Sequence, residues 1–162
     1  MILITGAAGH IGKRMAWRFL KEGTEFIGID VADNFELPDY RFVKLDIRDP
    51  KLADIIAMNG VDTIIHLAFC TTPKIDPKVR DDIDLNGSRN LAESGIRNNI
   101  KNFIFASSGR VYGDKNSSGG IYDDEGNYLN PQDDEYAVNK IKVEKMLLSM
   151  AKEHAFKLAI LR

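Results

Sequence analysis

The chain has 162 residues, 44% of them apolar, and a net charge of −2 from 22 Lys/Arg and 24 Asp/Glu. This supports one domain around one core and argues against nucleic acid or an anionic membrane as a partner. The single cysteine, Cys70, excludes an internal disulfide and fits a cytoplasmic setting, and no apolar run approaches the roughly 20 residues of a membrane-spanning helix.

Residues 2–5 are β-rich and stop at glycine, which predicts a buried first strand rather than a signal peptide. Thr5-Gly6-Ala7-Ala8-Gly9-His10-Ile11-Gly12 follows. Ile11, Met15, Phe19 and Leu20 then recur at helical spacing until Gly23. A second strand over 25–30 ends in Asp30, and a third over 40–46 ends in Asp46. Asp49-Pro50 caps a helix running to about Met58. A fourth strand covers 62–68, one long helix 76–99, and a fifth strand 101–108. A loop over 113–132 leads to a helix over 133–154 and a sixth strand over 156–161. Strands alternating with helices predict an α/β domain over 1–162, a Rossmann-type doubly wound parallel sheet. Its ligands belong outside the carboxyl ends of the strands, near the switch in strand order.

The glycine turn follows a strand and opens a helix, and Asp30 stands 24 residues beyond Gly6. A dinucleotide site needs that arrangement, with its acid roughly 20 residues on. Gly6 permits the sharp turn, Gly9 lets a phosphate approach the backbone, and Gly12 lets helix and strand pack closely. The amides of His10 and Ile11 then lie at a positive helix N-terminus. Asp30 is expected to accept hydrogen bonds from the adenosine ribose, which favours NAD over NADP. Lys13 and Arg14 are expected to face solvent.

Tyr136 and Lys140 are four residues apart and share a helix face. An ammonium beside a phenol lowers the phenol's pKa, so that Tyr136 can exchange a proton with an alcohol. Lys140 can also hold the nicotinamide ribose. Ser107-Ser108 ends the fifth strand, where a hydroxyl can orient the substrate oxygen. His66 reads as a satisfied core histidine and His154 as a helix C-terminal cation. No two histidines have metal-ligand spacing, so no metal is expected.

These motifs resemble the extended short-chain dehydrogenase/reductase family, the NAD-dependent epimerase/dehydratases, over essentially the whole chain. The resemblance implies that Asp46-Ile47 contacts adenine and that Leu67, Ala68 and Phe69 line the cofactor. It makes Ser108 the active-site hydroxyl of Ser107-Ser108-Gly109-Arg110-Val111-Tyr112-Gly113, and Tyr136 and Lys140 the catalytic pair. Asp84 stands where the family's motif has asparagine, here as a cofactor contact. Gly109 and Arg110 replace the Asp-Glu pair of the dehydratases, which disfavours dehydration. The family continues past the sixth strand into a region that binds substrate, so the expectation is that this chain lacks that region. The implied function is an NAD-dependent epimerase or dehydrogenase acting on a nucleotide sugar or related sugar alcohol, with a nucleotide sugar or sugar acid as the expected small-molecule partner. The alternative is a catalytically silent NAD-binding sensor or fragment. A homodimer through helices 76–99 and 133–154 is expected from the same resemblance.

Overall fold

The computed structural model describes residues 1–33, 37–72, 74–113 and 134–162. Six parallel strands form one sheet: β1 Ile2–Thr5, β2 Phe26–Asp30, β3 Phe42–Lys44, β4 Thr63–His66, β5 Asn102–Ala106 and β6 Lys157–Leu161. Their spatial order is β3-β2-β1-β4-β5-β6. The chain winds outward in both directions from β1 and β4, which pair from Ile2 opposite Thr63 to Thr5 opposite His66. The carboxyl ends of these two strands are therefore the switch point where this architecture places a ligand.

Alternation along β1 sends Leu3 to one face and Ile4 to the other. Leu3 joins Ile64, Phe103 and Phe105 beneath helices α2 (Leu52–Met58), α4 (Ser88–Arg97) and α5 (Glu135–Glu153). Ile4 joins Ala7, Phe26 and Phe42 beneath helix α1 (His10–Glu22), which contributes Ala16, Met15 and Phe19. Burial on both faces explains why β1 and β2 read as apolar runs without alternation. β6 is an edge strand, and Lys157, Ala159 and Leu161 along it are exposed.

Several elements are shorter than the sequence predicts. The third strand begins at Phe42 because Arg41 N donates to Pro38 O at 2.8 Å and closes a 3-10 turn over Asp39–Arg41. Asp49 caps a turn, its carboxylate accepting from Lys51 N, and the helix proper starts at Leu52. The 76–99 segment is helical but not one uniform helix. Asp76 caps α3 (Pro77–Asp81) by accepting from Lys78 N at 2.8 Å, a π-helical turn covers Asp82–Gly87, and α4 follows. A π turn adds a residue to one helical turn. The expected 113–132 loop, beyond Gly113, and the expected helix start at Asp133 lie outside the described residues.

Candidate active site

At the end of β1, Gly6 has φ +70°, and a Cβ there would lie 2.7 Å from Ala68 N. Gly12 is tighter still, since a Cβ would lie 2.2 Å from Gly6 O and 2.7 Å from Ala7 Cα. Only glycine permits this close approach of turn, helix and loop. α1 opens at His10 after Gly9, with no side-chain cap and no acidic residue in its first turn. The orphan amides of the helix start are thus left to the groove, which suits a pyrophosphate.

That groove has a volume of about 680 Å³ and runs over the carboxyl ends of the strands. Of the residues expected to hold cofactor, Gly6, Gly9, His10, Ile11, Gly12, Asp30, Asp46, Ile47, Leu67, Ala68 and Phe69 line it, and Tyr136 and Lys140 stand in the same wall. Asp30 accepts from Ala8 N at 2.9 Å and from Ala32 N at 3.0 Å, locking the end of β2 to the glycine turn. Lys13 and Arg14 are exposed. Asp84 does not belong to the lining. It is fully buried, and its carboxylate accepts from Cys70 N at 2.8 Å and Asn139 Nδ2 at 3.2 Å.

The floor of the groove rests on a buried chain of hydrogen bonds. Thr5 Oγ1 accepts from Leu67 N and Ala68 N, both at 3.2 Å, which uses both its lone pairs. Its own proton must go to His66 Nδ1, 2.8 Å away, so His66 carries its proton on Nε2 and donates to Ser88 Oγ at 2.8 Å. Burial holds the His66 pKa down at about 3, and the imidazole is neutral. It is a satisfied core histidine that fixes the Leu67–Ala68 segment at the floor of the groove.

Asp134 caps α5 by accepting from Ala137 N at 3.2 Å, and this places Tyr136 in the first turn with Lys140 one turn on. Lys140 is 2% exposed; its ammonium donates to Ala106 O at 2.6 Å and lies 3.6 Å from the centre of the Phe69 ring. Burial lowers its pKa from 10.5 to about 7, against the opposing charges of Asp84 and Glu144. The unfolded chain binds the extra proton between those two values, so this group's contribution to stability is least favourable below pH 7 and improves as pH rises toward 10.5. Lys140→Met is therefore expected to raise Tm at pH 6, with the gain shrinking at higher pH. Thermal unfolding at pH 6 and pH 9 measures this.

The phenol of Tyr136 departs from expectation. Burial pushes its pKa above 10.0, and the Arg110 guanidinium only partly offsets this. Lys140 Nζ lies over the face of the Tyr136 ring, 5.5 Å from its centre, and points to Ala106 O, so the ammonium is not directed at the phenol oxygen. The Arg110 guanidinium stands 5.3 Å from the same ring and pairs with Asp134 at 2.6 Å. Ser108 Oγ accepts from Arg110 N at 3.2 Å, which caps the 3-10 turn over Gly109–Tyr112.

Sequence reasoning passed over a second layer. Ser107, not Ser108, lines the groove, and its hydroxyl donates to the fully buried carboxylate of Glu144. Arg162 pairs with Glu144 at 2.8 Å and donates to Tyr112 Oη at 3.2 Å. Glu144 was findable, because it lies four residues beyond Lys140 on the same helix face. Among the described residues no three His, Cys, Asp or Glu side chains are grouped to hold a metal. No helix among them is long and apolar enough to cross a membrane.

A doubly wound sheet with a close-packed glycine turn and a Tyr/Lys pair in one groove is the arrangement of a dinucleotide-dependent class. Residues 2–162 match the model of the NAD dependent epimerase/dehydratase family, and the chain belongs to that family. It is 31% identical over 170 residues to a putative UDP-glucose 4-epimerase of Methanocaldococcus jannaschii, a match that covers all of this chain and 54% of that protein. Its fold is similar to that of a Thermus thermophilus UDP-glucose 4-epimerase in complex with NAD, with a TM-score of 0.84 and 25% identity over 99% of this chain and 54% of that one. A monomeric L-threonine 3-dehydrogenase of metagenomic origin is also similar, with a TM-score of 0.84 and 26% identity over 100% of this chain and 53% of that one. The chain spans about half the length of these relatives.

Proposed function

We propose that the groove binds NAD and serves an epimerase or dehydrogenase acting on a nucleotide sugar or a related sugar. The observation that carries this reading is the placing of Tyr136 and Lys140 in the wall of the groove that starts at the glycine turn. The α1 amides would hold the pyrophosphate, Asp30 the adenosine ribose, and Asp46 with Ile47 the adenine. Bound NAD supplies the acceptor and donor of hydride. Tyr136 Oη takes the substrate hydroxyl proton on oxidation and returns it on reduction, while Ser108 orients the substrate oxygen and Lys140 fixes the ribose.

The raised pKa keeps the phenol protonated at neutral pH and ready to donate. Acting as a base requires nearby positive charge, and Arg110 contributes it. Gly109 and Arg110 offer no carboxyl pair for loss of water, so dehydration is disfavoured.

UDP-glucose with NAD, followed at the absorbance of NADH, tests the reading. Sugar inversion with no net NADH supports epimerisation, and NADH equal to product supports dehydrogenation. No turnover of UDP-glucose or its sugar-acid counterpart would contradict both. Cofactor choice has its own test. Asp30→Ala is expected to weaken NAD and narrow its advantage over NADP, because the ribose acceptor and the repulsion of a 2′-phosphate vanish together. Calorimetric titration with each coenzyme checks it, and an unchanged preference would remove Asp30 from the ribose site.

A further inference from the structure

After β3 the chain runs through Leu45, Asp46 and Ile47, all of which line the groove, and Ile83 of the π turn lines it with them. Arg48 stands outside that lining, and its side chain folds back onto Asp46. We propose that Arg48 is a positioning residue that clamps the Asp46 carboxylate as a hydrogen-bond acceptor for the 6-amino group of a purine, so that the groove takes an adenine coenzyme in preference to its 6-oxo counterpart. This rests on the reading that the groove binds NAD and deepens it, because it assigns the choice of base.

Three donors of Arg48 converge on Asp46. Oδ1 accepts from Arg48 N at 2.9 Å and from Nε at 3.0 Å, and Oδ2 accepts from Nη2 at 2.6 Å. The remaining arm of the guanidinium, Nη1, donates to Asp82 Oδ2 at 2.7 Å, and Asn86 Nδ2 donates to Asp82 Oδ1 at 2.8 Å. The planar fork therefore cannot turn without breaking a contact at one end. The backbone beneath it is fixed as well, since Asn90 of α4 donates to Ile47 O at 2.8 Å and to Asp49 O at 3.2 Å.

Each carboxylate oxygen has two lone pairs. Both of those on Asp46 Oδ1 are engaged, and Oδ2 keeps one after its bond from Nη2. The Arg48 guanidinium holds the Asp46 carboxyl below the usual carboxylate range, so at neutral pH it only accepts. The 6-amino group of adenine is the matching donor. A 6-oxo purine puts an acceptor at that position and carries its nearest donor on N1, one atom further round the ring. A carboxylate free to rotate can follow that donor, and one held by three donors cannot. The apolar side chains of Leu45, Ile47 and Ile83 suit the flat face of either base and do not tell the two apart.

Calorimetric titration with NAD and with nicotinamide hypoxanthine dinucleotide is the test. The parent is expected to bind NAD about 10–100-fold more tightly, the range for one hydrogen bond to a charged group. Arg48→Met keeps the apolar stem and removes the fork, and the ratio is expected to shrink toward parity. A role confined to stability would weaken both coenzymes alike and leave the ratio where it was. Asp46→Asn keeps the shape and offers an amide donor to a 6-oxo group, so its ratio is expected to reach parity or reverse. A parent with no preference, or a ratio equal to the parent's in either variant, overturns the proposal. If Arg48→Met does not fold, Arg48→Lys keeps the charge without the fork and is judged by the same criteria. Failure of the parent to bind either coenzyme overturns the NAD reading and this inference with it, whereas NAD bound with an unmoved ratio overturns this inference alone.

Discussion

Tyr136→Phe is expected to lower turnover by about 10²–10⁴-fold, the usual contribution of a positioned proton donor, while NAD binding stays close to that of the parent. The substitution removes one oxygen from a half-buried ring and keeps the packing. The ring rests edge-on against Phe69 at 5.5 Å and faces the Arg110 guanidinium, and phenylalanine preserves both contacts. Its loss falls on the proton, because the phenol oxygen is the one atom the substitution removes and the ring contacts remain. Steady-state kinetics with UDP-glucose and calorimetry with NAD separate the two effects. Equal turnover in the variant would remove the phenol from the chemistry. Loss of NAD binding along with turnover would assign Tyr136 to holding the cofactor instead.

Gly12→Ala is expected to abolish NAD binding and to destabilise the fold toward the upper end of the roughly 1–3 kcal/mol typical of an overpacked site. The added carbon would lie 2.2 Å from Gly6 O and 2.7 Å from Ala7 Cα, both backbone atoms that no side-chain rotation can move aside. Relief requires α1 to shift away from the glycine turn, which takes its orphan amides with it. Gly109→Ala is the control, because nothing lies within 4 Å of a Cβ there. Denaturant unfolding and NAD calorimetry on both variants check this. A Gly12→Ala protein with the stability and affinity of the parent would show that the turn is not the close-packed element described.

What was legible in the sequence was local. Gly6, Gly9 and Gly12 announce a turn whose backbone must be approached closely, and Asp30 announces a strand end, because short-range sterics and periodicity encode both. The four-residue spacing of Tyr136 and Lys140 announces a shared helix face. The π turn over Asp82–Gly87 was not legible, because the helical pieces on either side of it are too short for the shift in phase it causes to stand out. The partners of Asp84, Cys70 N and Asn139, come from a loop and a helix distant in sequence.

The pKa of Tyr136 escapes the sequence for a related reason. Spacing brings Lys140 near, but the direction of its ammonium is set by Ala106 O and the Phe69 ring, which come from distant strands. The Ser107–Glu144–Arg162 contacts join β5, α5 and β6 and likewise needed the sheet to be assembled.

A crystal structure of the chain grown with NAD bears most directly on whether one groove holds both the dinucleotide and the proton-handling pair. The account predicts the pyrophosphate on the amides that open α1 and the nicotinamide ring beside the hydroxyl of Tyr136. Coenzyme seated with its nicotinamide away from Tyr136 and Lys140, or a chain that takes up no coenzyme at saturating concentration, would contradict it.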